Sequence, residues 1–203
     1  MASSTRSTRA LEASAAGSGG AGDVAWVNPG NARTWSNATW ARVTLNAGQT
    51  SEGLRLTAFG FGDFIRSTET ISGVEVYVWR RAGDGDVFDK VNKFLVGGAA
   101  HGDDWADTVP EWSTPGWEIV KYGGPHNLLT ATLATATVRA ADFGLFLRTD
   151  VPITPGGVAV DIAAIRVRVH TAGRFVDLTG GLSGRLWGHP GVRLVPGLSA
   201  SPQ

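Results

Sequence analysis

The feature that most constrains this chain is an alternation of apolar and polar residues with period two, sustained from Trp26 to His170. Successive side chains of a strand point to opposite faces, so this pattern marks strands with one buried and one solvated side. In Ala41-Arg-Val-Thr-Leu45 and Leu54-Arg-Leu-Thr-Ala58 the apolar residues share a face. Val74-Glu-Val-Tyr-Val78 places three valines together, with Trp79 and Arg80 following, and Ile165-Arg-Val-Arg-Val169 turns Arg166, Arg168 and His170 outward. Leu145-Phe-Leu147, Val91 to Val96 and Trp117 to Tyr122 are weaker strands. Turn-forming residues interrupt the runs, as in Asn28-Pro-Gly-Asn31, Ala82-Gly-Asp-Gly85, Gly123-Gly-Pro125 and Pro155-Gly-Gly157. One-sided alternation with this punctuation predicts an all-β chain, an antiparallel and jelly-roll-like β-sandwich of about eight strands. A parallel α/β sheet is not expected, because no strong helical pattern of about 10 to 15 residues separates the strands. The body's one helical hint, Val138 to Asp142, is a single turn.

A length of 203 residues suits one such domain. There is no cysteine, which rules out disulfides and thiolate metal sites. The 18 basic and 18 acidic residues balance, without the basic excess of a phosphate-gripping protein, so direct nucleic-acid binding is not expected. Lysine occurs only at Lys90, Lys93 and Lys121; the remaining basic residues are arginines, which suit planar bidentate contacts. The N-terminal residues contain no apolar run of about 7 to 15 residues, so no secretory signal is expected. Nothing approaches the roughly 20 apolar residues of a membrane helix.

Composition divides the chain into an N-terminal arm (1–23), a β-sandwich domain (24–170) and an extended C-terminal arm (171–203). The first zone is small, polar and glycine-rich; Arg9 to Ala16 suggests a short helix, marginal alone in water. The last zone is broken by glycine and proline yet carries apolar residues singly and in pairs. Both ends read as arms that grip neighbouring subunits, with Arg6, Arg9, Arg174, Arg185, Leu186, Trp187, Leu194 and Val195 as the partner-anchoring contacts. The C-terminal arm has an alternative reading, packing back over its own sandwich.

A series of segments, in order along the body, resembles a β-sandwich module of tailed-bacteriophage virion structural proteins, of the head-decoration or tail- and head-fibre type. They include Trp26-Val-Asn-Pro-Gly-Asn-Ala32, Leu45-Asn-Ala-Gly-Gln-Thr-Ser51, Leu54-Arg-Leu-Thr-Ala-Phe-Gly-Phe61 and Ile71-Ser-Gly-Val-Glu-Val-Tyr-Val78. The Tyr122-Gly-Gly-Pro125 turn, Asp142-Phe-Gly-Leu145 and Val160-Asp-Ile162 with Ile165-Arg-Val-Arg-Val169 complete the series. Where such modules often carry Leu-Trp-Gly after the glycine-proline turn, this chain has Leu128-Leu129-Thr130. The resemblance implies a non-enzymatic structural protein, a capsid decoration or cement protein or a head or tail appendage. It implies a protein made in the host cytoplasm and located in the virion. Its partners would be major capsid, tail or portal proteins and further copies of itself, trimers being common among such appendages. It implies no catalytic residue and no cofactor.

Other chemistries fit the residues less well. Gly181-Leu-Ser183-Gly184 lacks the spacing of a hydrolase nucleophile elbow. Asp84, Asp86 and Asp89 are weak calcium candidates; they do not match an EF-hand loop and suit a turn as well. Two carboxylates could face one another across a glycosidic bond, but no pair stands out. The chain has eight tryptophans. Trp105 and Trp112, in one loop region with Asp104, are the candidates for a carbohydrate-binding surface, the alternative function. Against it, tryptophan also fills sandwich cores and interfaces.

Overall fold

The structure is a computed structural model, and it describes residues 4–83 and 86–173. The long alternating runs become long strands. Among the described residues these are β1 (Ser4–Ser7), β2 (Leu11–Glu12), β3 (Ala15–Gly19), β4 (Ala41–Leu45), β5 (Gln49–Thr50), β6 (Gly53–Thr57), β7 (Thr70–Ala82), β8 (Phe88–Val96), β9 (Ala99–His101), β10 (Glu118–Gly124), β11 (Gly144–Val151) and β12 (Val158–Gly173). Among the described residues the one α-helix, α1 (Thr135–Arg139), is a single turn beginning three residues before the predicted one.

All strand pairs within the two sheets are antiparallel, as the alternation requires, and they form a β-sandwich. In the first sheet β12 runs beside β7 from Val160↔Ala82 to Ala172↔Thr70, and β7 pairs with β10 on its other side. The remaining edge of β12 is shared end to end by β4, β2 and β1. The second sheet runs β3-β6-β11-β8-β9, with β5 also paired to β11. Register sets the faces. Val74, Val76 and Val78 of β7 and Ile165, Val167 and Val169 of β12 are all 0 to 1% exposed, and they form the core with Leu54, Leu56, Phe94 and Leu145 of the second sheet. Burying each such side chain contributes about 1.5 to 3 kcal/mol before entropy is counted. The opposite phase of the first sheet, including Tyr77, Trp79, Arg81, Arg166 and Arg168, is half-buried.

Two glycines serve this packing. A Cβ on Gly53 would lie 1.9 Å from the Phe146 ring on the neighbouring strand. Gly123, at φ +77, turns the end of β10 where a Cβ would lie 2.1 Å from the Val74 carbonyl oxygen.

The N-terminal segment corrects the expectation of a separate arm with a short helix. Ser4–Ser7 and Leu11–Glu12 extend the first sheet, and Ala15–Gly19 pairs with β6 to become the edge of the second. Leu11 and Ala13 are core residues. Alanine, serine and glycine have weak strand propensity, but the exposed edges of β12 and β6 offer backbone donors and acceptors that pairing satisfies. The segment thus takes its conformation from the edges it covers. The proposed C-terminal arm lies outside the described residues beyond Gly173.

Candidate functional site

The outer phase of the first sheet collects aromatic and charged side chains. Trp79 projects from β7, and the sheet register sets Arg81 opposite Asp161 and Tyr77 opposite Arg166. Loops add Trp35, Trp40 and Trp117. The four indoles form a continuous row: Trp35 to Trp79 at 5.4 Å between centroids, Trp79 to Trp117 at 6.3 Å, and Trp117 to Trp40 at 5.9 Å.

Guanidinium groups lie over the rings. Arg166 is 4.5 Å from the Trp35 centroid, and Arg81 is 4.3 Å from Trp117 and 4.9 Å from Trp40. Arg42 is 5.5 Å from Trp40, and Arg168 is 5.7 Å from Tyr77. Carboxylates hold the cations in place. Arg42 donates to Asp161 at 2.6 and 2.8 Å and Arg81 at 3.0 Å, while Arg166 donates to Glu12 at 2.6 and 3.0 Å. Each cation over a half-exposed ring contributes about 0.5 to 1 kcal/mol. The larger effect is that long side chains lose their freedom before any partner arrives. The result is a stiff indole–guanidinium surface on a rigid sheet.

Farther along the same face lies a polar group centred on Glu75, which is 5% exposed. Tyr77 donates its hydroxyl to this carboxylate at 2.6 Å, and Arg168, His170 and Lys121 stand 3.4, 3.5 and 3.6 Å away. Burial alone would raise the Glu75 carboxyl, but the Tyr77 hydroxyl and the surrounding cations outweigh it and hold the carboxyl below the ordinary range. Ser7 lies 2.7 Å from Nδ1 of His170. A hydroxyl, an imidazole and a carboxylate thus lie in series, but the carboxylate is already engaged by Tyr77 and cations. This arrangement fixes β1 onto β12.

A second cluster lies inside the sandwich. Arg80 continues the core phase of β7 and is 2% exposed. Its Nη1 donates to Asp89 at 2.7 Å and to the Tyr122 hydroxyl at 2.8 Å, its Nε donates to Glu118 at 2.9 Å, and its guanidinium lies 4.5 Å from the Trp112 ring. Asp89, 3% exposed on β8 of the other sheet, also accepts from Trp112 Nε1 at 3.0 Å, Asn92 Nδ2 at 3.0 Å and the Tyr122 hydroxyl at 2.5 Å. Burial, and then the charge of Asp89, push the Tyr122 phenol far above its ordinary value. This network ties the two sheets together.

The residues expected to bind glycan lie in and beside this network. Trp112 is 3% exposed, with its N–H given to Asp89, and Trp105 packs 5.1 Å from Tyr122 and 6.1 Å from Phe94. Asp104 accepts backbone N–H groups of Asn92 and Ala106. Trp112 is thus committed to the core and Asp104 to its own loop, while Trp105 is half-buried against Tyr122 and Phe94. Among the weak calcium candidates, Asp89 is saturated by Arg80 and its other donors, Asp86 accepts from Thr154 at 2.6 Å, and Asp84 lies outside the described residues. No group of three or more metal-ligating side chains converges among the described residues.

Of the anchoring residues, Arg6 meets its own chain, donating to the Phe64 carbonyl and lying 3.6 Å from Glu69, and Arg9 lies 5.0 Å over the Phe64 ring. Arg174, Arg185, Leu186, Trp187, Leu194 and Val195 lie outside the described residues. The indole row was missed. Its strand members were signalled by the outward phase Tyr77-x-Trp79-x-Arg81, whereas Trp35, Trp40 and Trp117 lie in loops whose positions depend on tertiary folding.

No family model matches the chain, and no curated protein matches it. Among solved structures it is similar to the CBM22-1 xylan-binding domain of Paenibacillus barcinonensis Xyn10C, at 12% identity and a TM-score of 0.38, over 83% of this chain and 97% of that one. It is also similar to the CBM22-1-CBM22-2 tandem domain of the same protein, at 12% identity and a TM-score of 0.37, over 83% of this chain and 47% of that one. Likeness at this level carries no argument about function, and the sandwich assignment rests on the strand pairing itself.

Proposed function

We propose that this chain is a non-catalytic structural protein of a tailed-phage virion, a decoration or appendage subunit, and that it docks on another virion protein through the outer face of its first sheet. The observation that supports docking is the row Trp35–Trp79–Trp117–Trp40 interleaved with Arg42, Arg81 and Arg166. Tryptophan, tyrosine and arginine are the residue types that dominate binding energy at protein interfaces, particularly when they are held rigid in advance. The phage assignment is supported by the ordered resemblance of the body segments. Residues 174–203, with Leu186, Trp187, Leu194 and Val195, supply a second set of contacts in this reading.

The test is to produce virions carrying Trp40→Ala with Trp117→Ala, or lacking residues 174–203, and to count incorporated copies. Losing two anchors at about 2 kcal/mol each should weaken docking by roughly 800-fold, while the isolated protein stays folded and melts only somewhat lower for the lost cation–ring contacts. Normal incorporation of both variants contradicts the proposal.

A second reading, glycan binding, has one observation in its favour: a cleft of about 330 Å³ beside Trp40, lined by Asn28, Asn31 and Thr39. Against it, Arg42 and Arg81 already lie over the Trp40 ring, so a stacking sugar would have to share or displace a cation. A glycan array decides between the two: specific hits lost with Trp40→Ala favour the sugar, and an empty array favours the protein partner.

A further inference from the structure

Away from the indole row, arginines from three separate elements surround a cleft. Arg6 comes from β1, Arg66 from the loop after Ile65, and Arg139 from the last position of α1. The cleft has a volume of about 530 Å³, and Ser67 and Asp63 also line it. Asp63 and Phe64 also line a neighbouring cleft of about 480 Å³, together with Arg9, Glu12 and Arg166.

The walls are fixed by local bonds. Backbone N–H groups of Phe64 and Ile65 donate to the Phe61 carbonyl at 3.0 and 2.9 Å, and the Arg66 N–H donates to Glu69 Oε2 at 2.8 Å. Phe61 and Ile65, each 2% exposed, anchor this loop in the core. The charges do not cancel. Arg6 lies 3.6 Å from Glu69, but Arg66 and Arg139 have no carboxylate within ion-pair distance among the described residues, and Asp63 is the only acid lining the cleft. Arg139 makes one long contact, 3.5 Å to the Gly62 carbonyl.

We propose that this cleft binds an oxyanion group, such as a sulfate, phosphate or carboxylate, with Arg66 and Arg139 as its principal ligands and Arg6 as the preset third. Three guanidinium groups against the two carboxylates of Glu69 and Asp63 leave a positive excess, and each guanidinium fork matches two oxygens of such a group. The site is distinct from the indole–arginine face and stands whether or not that face docks a protein.

The experiment is an NMR titration of the full chain with sodium sulfate against sodium chloride at matched ionic strength, followed by dextran sulfate. Saturable shifts at the amides of residues 62 to 67 are expected, and Arg66→Gln with Arg139→Gln should weaken binding about tenfold or more. Lys93→Gln, on β8, should change nothing. If the double variant melts lower, Arg66→Gln alone serves, because its side chain has no hydrogen-bond or ionic partner among the described residues. Dextran sulfate binding much tighter than the same concentration of free sulfate identifies a polyanion as the ligand, and equal binding identifies the free ion; both support the site. Shifts no larger than those from chloride, or undiminished binding by the double variant, would overturn it.

Discussion

Arg80 and Asp89 show how a charge is kept inside this sandwich. Both are 2 to 3% exposed, and their attraction is supported by Trp112, Tyr122, Asn92 and Glu118. Removing one member leaves the other buried without its counter-charge, so Arg80→Met should lower the unfolding free energy by about 3 to 5 kcal/mol, read from urea melts. Arg80→Met with Asp89→Leu should recover most of that loss, since a buried pair is often replaceable by apolar side chains. The alternation in β7 puts Arg80 on the core face with Val74, Val76 and Val78, but the groups that hold a charge there come from β8, β10 and the loop around Trp112, which no local pattern shows. Glu75 gives a pH dependence of defined sign. Its folded carboxyl titrates below the ordinary value near 4.5, so its stabilising contribution is complete above that value and is lost as pH falls through the folded value. Glu75→Gln should flatten the decline in urea midpoint between about pH 5 and 3, and an unchanged slope would refute this.

At the scale of elements, β4, β6, β7 and β12 were legible because apolar residues recur at period two in Ala41–Leu45, Leu54–Thr57, Val74–Val78 and Ile165–Val169, whereas β11 showed only Leu145-Phe-Leu147 and bulges interrupt β11 and β12. The strands β1, β2 and β3 were not legible, because Ser4–Ser7 and Ala15–Gly19 have little side-chain signal and are specified by the edges they complete. A consequence follows for truncation. Deleting residues 1–19 removes Leu11 and Ala13 from the core and uncovers β6 along its length, so the shortened protein should aggregate or melt well below the full chain. Hydrogen exchange checks the same point without truncation. Amides of residues 15–19 bonded to β6 should be protected with the body of the sheet; exchange at free-peptide rates would show that this strand does not hold.

At the scale of the molecule, the inward phase of the first sheet supplies the core and its outward phase supplies the candidate site. The strand part of that site was present in the sequence as Tyr77, Trp79, Arg81, Arg166 and Arg168. Its assembly into one surface required loop positions that no local pattern encodes. Trp105 and Trp112 drew attention because they lie close to one another and to acids in sequence, yet folding turned them toward the core. The central claim is that the row from Trp35 to Trp40 is a docking face, and oxidative footprinting of these indoles tests it most directly. Trp35, Trp40, Trp79 and Trp117 should be oxidised readily in the isolated protein and strongly protected in intact virions, with Trp112 protected in both. Equal oxidation of the four in the two states would contradict the account.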